Sequence, residues 1–263
     1  MDGMTAPAAA RLEVRGITVR FAGLTALDDV SFTVEPGTVH ALIGPNGAGK
    51  STCFNVLSGV YRAASGSVAY GGREITGMPP HAVTGLGIAR TFQNIVLTAG
   101  TVADNLMLGR HRLTRAGFAA TALRLPGAVR EQRRHRARAA EIAGFLGLEA
   151  HFDQPVGGLP YGVRKRVELA RALCAEPGLL LLDEPVAGMN PAERLDMAGT
   201  IAAIRAALGI SVLLVEHDMG MVMRLADTVT VLDFGRRIAD GTPEAVQQDP
   251  AVLRAYLGQE GAA

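Results

Sequence analysis

Residues 39–52 read VHALIGPNGAGKST, an apolar run that breaks into a glycine-rich turn and ends on Gly-Lys-Ser-Thr. From Gly44 to Ser51 the turn fits G-x-x-x-x-G-K-[ST], and it follows a strand-like run and opens a helix, as that pattern requires. Glycines let successive backbone N–H groups turn inward around a phosphate, and the helix N-terminus adds favourable potential. The spacing places Lys50 on the outer phosphates and the Ser51 hydroxyl on Mg²⁺. A strand, a phosphate-binding turn and a helix in that order predict an α/β fold built on a mainly parallel sheet.

Downstream, LLLLDE at 179–184 supplies the other half of such a site. Four leucines predict a buried strand, and Asp183 emerges at its C-terminal end, where ligands of parallel sheets gather. There it can hold the hydrated Mg²⁺ that Ser51 touches. Glu184, one residue further, points elsewhere and can polarise a water for in-line attack. Carboxylates at strand ends are often merely solvated; the glycine-rich turn gives this pair its meaning.

The remaining pattern fits around these two segments. LEVRGITVRF alternates at Leu12/Val14 and again at Ile17/Val19/Phe21, with a phase slip at Gly16 such as a β-bulge produces. VSFTV (30–34) alternates too, so the chain begins with strands that have one wet face. From about Met78 to Ala175 the pattern is mostly helical, with a Thr101/Asp104 pair resembling a capping box. Arg130, Arg134 and Arg138 share a stripe there and are read as a solvated helix face, because Glu131 and Glu141 are interspersed. After that, short Leu/Val runs alternate with helices: strand 179–182, helix 191–207, strand 210–215, helix 219–225, strand 227–232. That alternation is the mark of a parallel sheet covered on both faces. The expected division is a loose tail at 1–10, one α/β domain over 11–258 with a helical subdomain at about 94–175, and a tail at 259–263.

Lys and Arg number 26 against 25 Asp and Glu, a net charge of +1, so there is no bulk electrostatic case for a nucleic-acid partner. Cys53 and Cys174 stand in no metal or redox spacing and read as buried thiols. MDGMTAPAAA has no basic region followed by an apolar stretch, and the apolar runs fall short of the roughly 20 residues that span a bilayer. The chain is expected to be soluble by itself, with any membrane role supplied by a partner.

Several single residues have two readings. His217 follows the buried run 212–215 and either contacts a terminal phosphate or simply starts a helix beside Asp218, a candidate N-cap. Gln93 is a loop amide. Phe21 is an adenine-stacking platform or a hydrophobic side chain of the first strand pair. Asn190-Pro191 reads as an N-cap and first helical residue.

Taken in order, GPNGAGKST, RTFQN, LPYGV…LARAL, LLLLDEP, AGMNP and LLVEH resemble the ATP-binding subunits of ABC transporters, a match running from about residue 11 to 258. The resemblance implies an ABC ATPase architecture: a P-loop NTPase core, an N-terminal antiparallel layer and a helical subdomain. It implies that Phe21 stacks on adenine and that Gly44–Thr52 is the Walker A loop, with Asn46, Gly47, Gly49, Lys50, Ser51 and Thr52 on the nucleotide. Gln93 becomes the Q-loop residue, serving catalysis and the metal; Asp183 and Glu184 become the Walker B pair, Ala187–Asn190 the D-loop and His217 the switch histidine. Leu159–Val163 becomes the signature, with Pro160, Tyr161 and Gly162 closing in trans over ATP held by a second subunit, so the working unit is a dimer. ATP and Mg²⁺ are the implied cofactors.

Tyr161, the phrase RTFQNIVL at 90–97 and the ending GTPEAVQQDPAVLRAYLG at 241–258 resemble one branch, the ATPases of branched-chain amino acid importers. That branch implies a second, related ATPase, two integral-membrane permease subunits, a periplasmic solute-binding protein, and a place on the cytoplasmic face of the inner membrane. Pro160 and Val163 depart from the wider family, which has Ser and Gln there. Pro160 removes both a hydroxyl and a backbone N–H. The other readings are a soluble ABC ATPase uncoupled from transport and a nucleotide-gated scaffold with little hydrolysis.

Overall fold

The computed structural model describes residues 9–91, 95–117, 120 and 122–260. The chain divides into two compact units, one made of Met1–Arg90 with Gly178–Ala263 and the other of Thr91–Pro177.

The first unit is built on two sheets. Leu12–Phe21 (β1), Leu24–Val34 (β2), Ser65–Tyr70 (β4) and Arg73–Glu74 (β5) form an antiparallel sheet in the order β2-β1-β4-β5, and Val39–Ile43 (β3) starts the other. That second sheet adds Ile88–Arg90 (β6), Leu179–Asp183 (β7), Ser211–Val215 (β8), Thr228–Asp233 (β9) and Arg236–Gly241 (β10), in the order β10-β9-β3-β8-β7-β6. All its pairings are parallel except β9 with β10. Every residue of β3, β7 and β8 is buried, which is why these strands read as unbroken Leu/Val runs. The slip in the first strand is a register shift between Val14 and Ile17, with Gly16 at φ 61° and its N–H given to the Ser31 hydroxyl at 2.8 Å.

Three features escape the sequence reading. β6 lies inside the stretch read as helical, yet pairs with β7 at the sheet edge; three residues are too few to show a period. β5 and β10 are hairpin arms with exposed or half-exposed residues, and β4 buries only Val68 and Tyr70, too short an alternation to announce a strand.

The second unit is helical, with Val102–Gly109, Pro126–Phe145 and Tyr161–Leu173 as its main helices. Thr101 and Asp104 form the expected capping box, each side chain bonded to the other's backbone N–H at 3.1 and 2.9 Å. Val102, Ala103 and Leu106 are fully buried, as are Ala139, Ala143, Val167 and Ala170. Gly109 lets two helices approach: a Cβ there would lie 2.2 Å from the Arg171 carbonyl oxygen. Arg130 and Arg134 are exposed, as a solvated face requires. Arg138 is not. It reaches Glu176 at 3.2 Å, which also accepts from the buried Arg110 at 3.1 Å, and Arg110 donates to His135 Nδ1 at 2.8 Å.

His40, in β3, makes the fold acid-sensitive. Its Nε2 lies 2.8 Å from the Thr230 hydroxyl, which donates its own proton to Asp240 at 2.9 Å, so the imidazole is the donor and is neutral. Burial pushes its pKa from 6.5 down to about 4, against the pull of Asp240. The unfolded chain therefore binds a proton near 6.5 that the folded chain refuses until about 4. Stability from this site is full above the upper value and is lost as pH falls toward the lower one, roughly 3 kcal/mol in all. Glutamine at position 40 can donate to Thr230 without titrating. The expected result is that His40→Gln flattens the fall in Tm between pH 6.5 and 4; an unchanged slope would refute the assignment.

Candidate active site

The glycine-rich turn leaves β3 and enters the helix Lys50–Leu57. Two glycines are required by contact as well as by φ. A Cβ on Gly44 (φ 146°) would lie 2.0 Å from the Leu232 carbonyl oxygen, and one on Gly49 (φ 101°) would lie 2.7 Å from that of Ala26. Behind the turn stands the β9–β10 hairpin, where Gly235 gives its N–H to Ala48 O at 3.1 Å and accepts from Asp28 N at 2.8 Å. Gly49 is the N-cap and offers no side-chain cap, and the first helical bond runs from Cys53 N to Gly49 O. The amides of Lys50, Ser51 and Thr52 precede that bond and so lack helical acceptors. Asn46, Gly47 and Ser51 are exposed at the mouth of this cradle. An N-terminus of this kind, lined by glycines and open to solvent, fits a phosphate.

Lys50 lies across the turn, its ammonium donating to Gly44 O at 2.6 Å and Pro45 O at 2.8 Å. Burial lowers its pKa, while the carboxylates of Glu184 and then Asp183 pull it back. The turn and the end of β7 thus share one electrostatic site.

Asp183 is buried at the end of β7 and pairs with Arg90, Oδ2 to Nη2 at 2.9 Å, both side chains nearly out of solvent. The same guanidinium donates to Asn55 Oδ1 and Ser58 Oγ, each at 2.8 Å, and lies over the Phe54 ring. Arg90 therefore fastens the Asp183 carboxylate to the far end of the helix that Lys50 begins. Sequence reading missed it: an arginine ending a three-residue strand has no local pattern. The carboxylate of Asp183 and the exposed hydroxyl of Ser51 are hard oxygen donors, the set that suits Mg²⁺.

Glu184 adopts φ 47°, left-handed for a side-chain-bearing residue, and its N–H is held by Val215 O at 2.9 Å. Strain of this kind at a pocket is a mark of function, and here it turns Glu184 away from the course of Asp183. His217 is exposed, with Nδ1 3.8 Å from the carboxyl of Glu216, beside Asp218, which caps the helix Met219–Leu225 through Met221 N at 3.0 Å. Asn190 and Pro191 form the N-cap and first residue of the helix Pro191–Leu208, with a capping box to Glu193. Phe21 is 42% exposed and meets the Tyr61 ring edge-on at 5.2 Å, leaving it free surface for a flat ligand. Gln93 lies outside the described residues.

In the helical unit, LPYGV opens the helix Tyr161–Leu173 with Pro160 as N-cap (φ −54°, ψ 153°) and no side-chain cap. Pro160 O accepts Arg164 N at 3.0 Å, and the Arg164 guanidinium lies over the exposed Tyr161 ring at 5.9 Å.

Comparison with known proteins agrees with this geometry. The family model described as ABC transporter matches residues 27–187, and that of the branched-chain amino acid ATP-binding cassette transporter matches residues 236–262. The chain is 41% identical to the high-affinity branched-chain amino acid transport ATP-binding protein BraF of Pseudomonas aeruginosa, over 94% of this chain and 98% of that protein. It is 38% identical to LivG of Escherichia coli, with the same coverage. Among solved structures, it resembles an ATP-binding cassette of an ABC transporter in its ADP conformation, at 32% identity and TM-score 0.82 over 95% of this chain and 99% of that one.

Proposed function

The chain belongs to the family of ABC transporter ATP-binding proteins, and from that premise we propose that it hydrolyses ATP to drive import of branched-chain amino acids. The observation that supports this best is the open glycine cradle with the Lys50 ammonium laid across it. Amides from Gly47 to Thr52 bind the phosphates, and Lys50 turns from the loop carbonyls to the outer ones. Phe21 supports the adenine. Ser51 and Asp183 would hold Mg²⁺, which offsets phosphate charge when bound. Glu184 takes the proton of the attacking water, and His217 orients it. By the resemblance, Gln93 would join that metal site.

A member of this family works with integral-membrane permease subunits, and no helix among the described residues is long and apolar enough to cross a membrane. We assign the chain to the cytoplasmic face of the inner membrane, beneath two permease subunits, beside a second related ATPase and served by a periplasmic binding protein. Residues 11–258 form the cassette, and the helical part at about 94–175 addresses the permease. Within the apolar stretch Ile95–Leu108, Val102, Ala103 and Leu106 are core, which removes them from any docking groove. Val96 and Leu108 are more than half exposed, Leu97 is half-buried, and Arg171 holds the segment through Val96 O at 2.5 Å. In proteoliposomes of the full complex, leucine-loaded binding protein is expected to stimulate ATP turnover. Leu97→Glu is expected to abolish that stimulation while leaving basal turnover and Tm near normal. No stimulation by Leu, Ile or Val in the parent complex would refute the substrate class. A Leu97→Glu subunit that unfolds would return Leu97 to the core.

A further inference from the structure

Strand β8 leads directly into a residue that the reaction above does not use. Glu216 is fully buried, directly after the buried strand Ser211–Val215, whose last four residues are apolar. Its carboxyl accepts three backbone N–H groups: Val186 at 3.2 Å on Oε1, and His217 at 3.0 Å and Asp218 at 3.3 Å on Oε2. Val186 lies two residues past Glu184, on the loop that leaves β7. His217 and Asp218 lie on the loop that leaves β8. One side chain therefore ties together the two loops that present Glu184 and His217.

A second tie runs parallel to it. Arg194 donates to Met189 O at 2.9 Å and to Asp218 Oδ2 at 2.9 Å, joining the far end of the first loop to the second. A direct bond, Glu184 N to Val215 O, joins their bases. Burial raises the Glu216 pKa, against the three amides. A buried acid is costly unless its hydrogen bonds are all made, so its presence here calls for a reason beyond packing.

We infer that Glu216 is a positioning residue, fastening the 184–190 loop to the 216–218 loop so that Glu184 and His217 hold the attacking water as one rigid unit. This rests on the catalytic roles proposed above for those two residues. Glutamine is the incisive substitution. It has the shape of glutamate but presents NH₂ on one side, so whichever way it turns, a donor faces either Val186 N–H or the His217/Asp218 pair. One loop comes loose while the volume is unchanged.

Two measurements on the full chain test this. In hydrogen exchange without nucleotide, Glu216→Gln is expected to speed exchange in peptides covering 184–190 or 215–221, with the Gly44–Thr52 peptide unchanged. In the assembled complex, kcat is expected to fall about 10- to 100-fold, the cost of an ångström-scale misplacement, with KM for ATP within threefold. Unchanged exchange at both loops overturns the inference, as does kcat within twofold of the parent. Glu184→Gln runs alongside to separate the two readings. If it abolishes turnover and Glu216→Gln leaves kcat within twofold of the parent, only the role of Glu216 fails; if Glu184→Gln leaves turnover intact, the assignment of the base fails, and Glu216 stands or falls by exchange alone.

Discussion

Glu184→Gln is expected to lower ATP turnover by about 10²–10⁴-fold, the contribution of a general base, while nucleotide binding persists. The substitution removes charge and leaves shape. Backbone at position 184 is fixed by Val215 O, so the amide occupies the site of the carboxylate without disturbing either strand. Lys50 loses its leading carboxylate partner and keeps Asp183, and the glycine cradle is untouched. Removing a negative charge beside the phosphates should tighten ATP binding slightly, since like charges at this range repel. The check pairs phosphate release by the assembled complex with equilibrium binding of a fluorescent ATP analogue. Hydrolysis near the parent rate would place the base elsewhere, with His217 the next candidate; loss of binding would make Glu184 a ligand contact instead.

Much of this site is legible in the sequence because its chemistry is local. Gly44–Ser51 states its own conformation, since two of its glycines sit where a Cβ would strike a carbonyl oxygen. The run 179–184 announces a buried strand and its exit residue together. Capping at Thr101, Asn190 and Asp218 is legible for the same reason. What escapes is long-range or two-faced. Arg90 meets Asp183 across 93 residues and Glu216 meets Val186 across 30, and no spacing rule joins such pairs. Glu216 did leave a signal, an acid at the end of a five-residue buried run, but acids at strand ends are common. Ile95–Leu108 is rich in apolar residues, and apolarity alone does not tell a core face from a docking face; only the burial of Val102, Ala103 and Leu106 against the exposure of Val96 and Leu108 divides it. Arg138 escapes likewise, because Glu176 approaches it from the turn that follows another helix, 38 residues on.

In the proposed assembly with a second ATPase, the turn LPYGV closes over the nucleotide held by the partner. With proline at the N-cap, the helix Tyr161–Leu173 has no side-chain cap on its first turn, and a helix start without such a cap suits an anion. A hydrogen bond to a charged group contributes roughly 1.5–3 kcal/mol, so a family member with serine in place of Pro160 has one more contact to the terminal phosphate. That serine also caps its own helix, worth about 1 kcal/mol, and the two uses compete for one hydroxyl. Pro160→Ser is therefore expected to change turnover only a few-fold while raising Tm. Gly162→Asp is expected to abolish turnover, more than 100-fold below the parent, because it sets a carboxylate where the phosphate must arrive. Unfolding does not explain that loss: an acid in the first helical turn favours the helix by about 0.3–1 kcal/mol. Circular dichroism and Tm establish that the variant is folded, and ATPase rates in the complex with the partner ATPase give the result. Robust hydrolysis by Gly162→Asp would mean that the site closed by this LPYGV is dispensable and that the opposite site, closed by the partner's signature over Lys50 and Glu184 of this chain, performs the reaction.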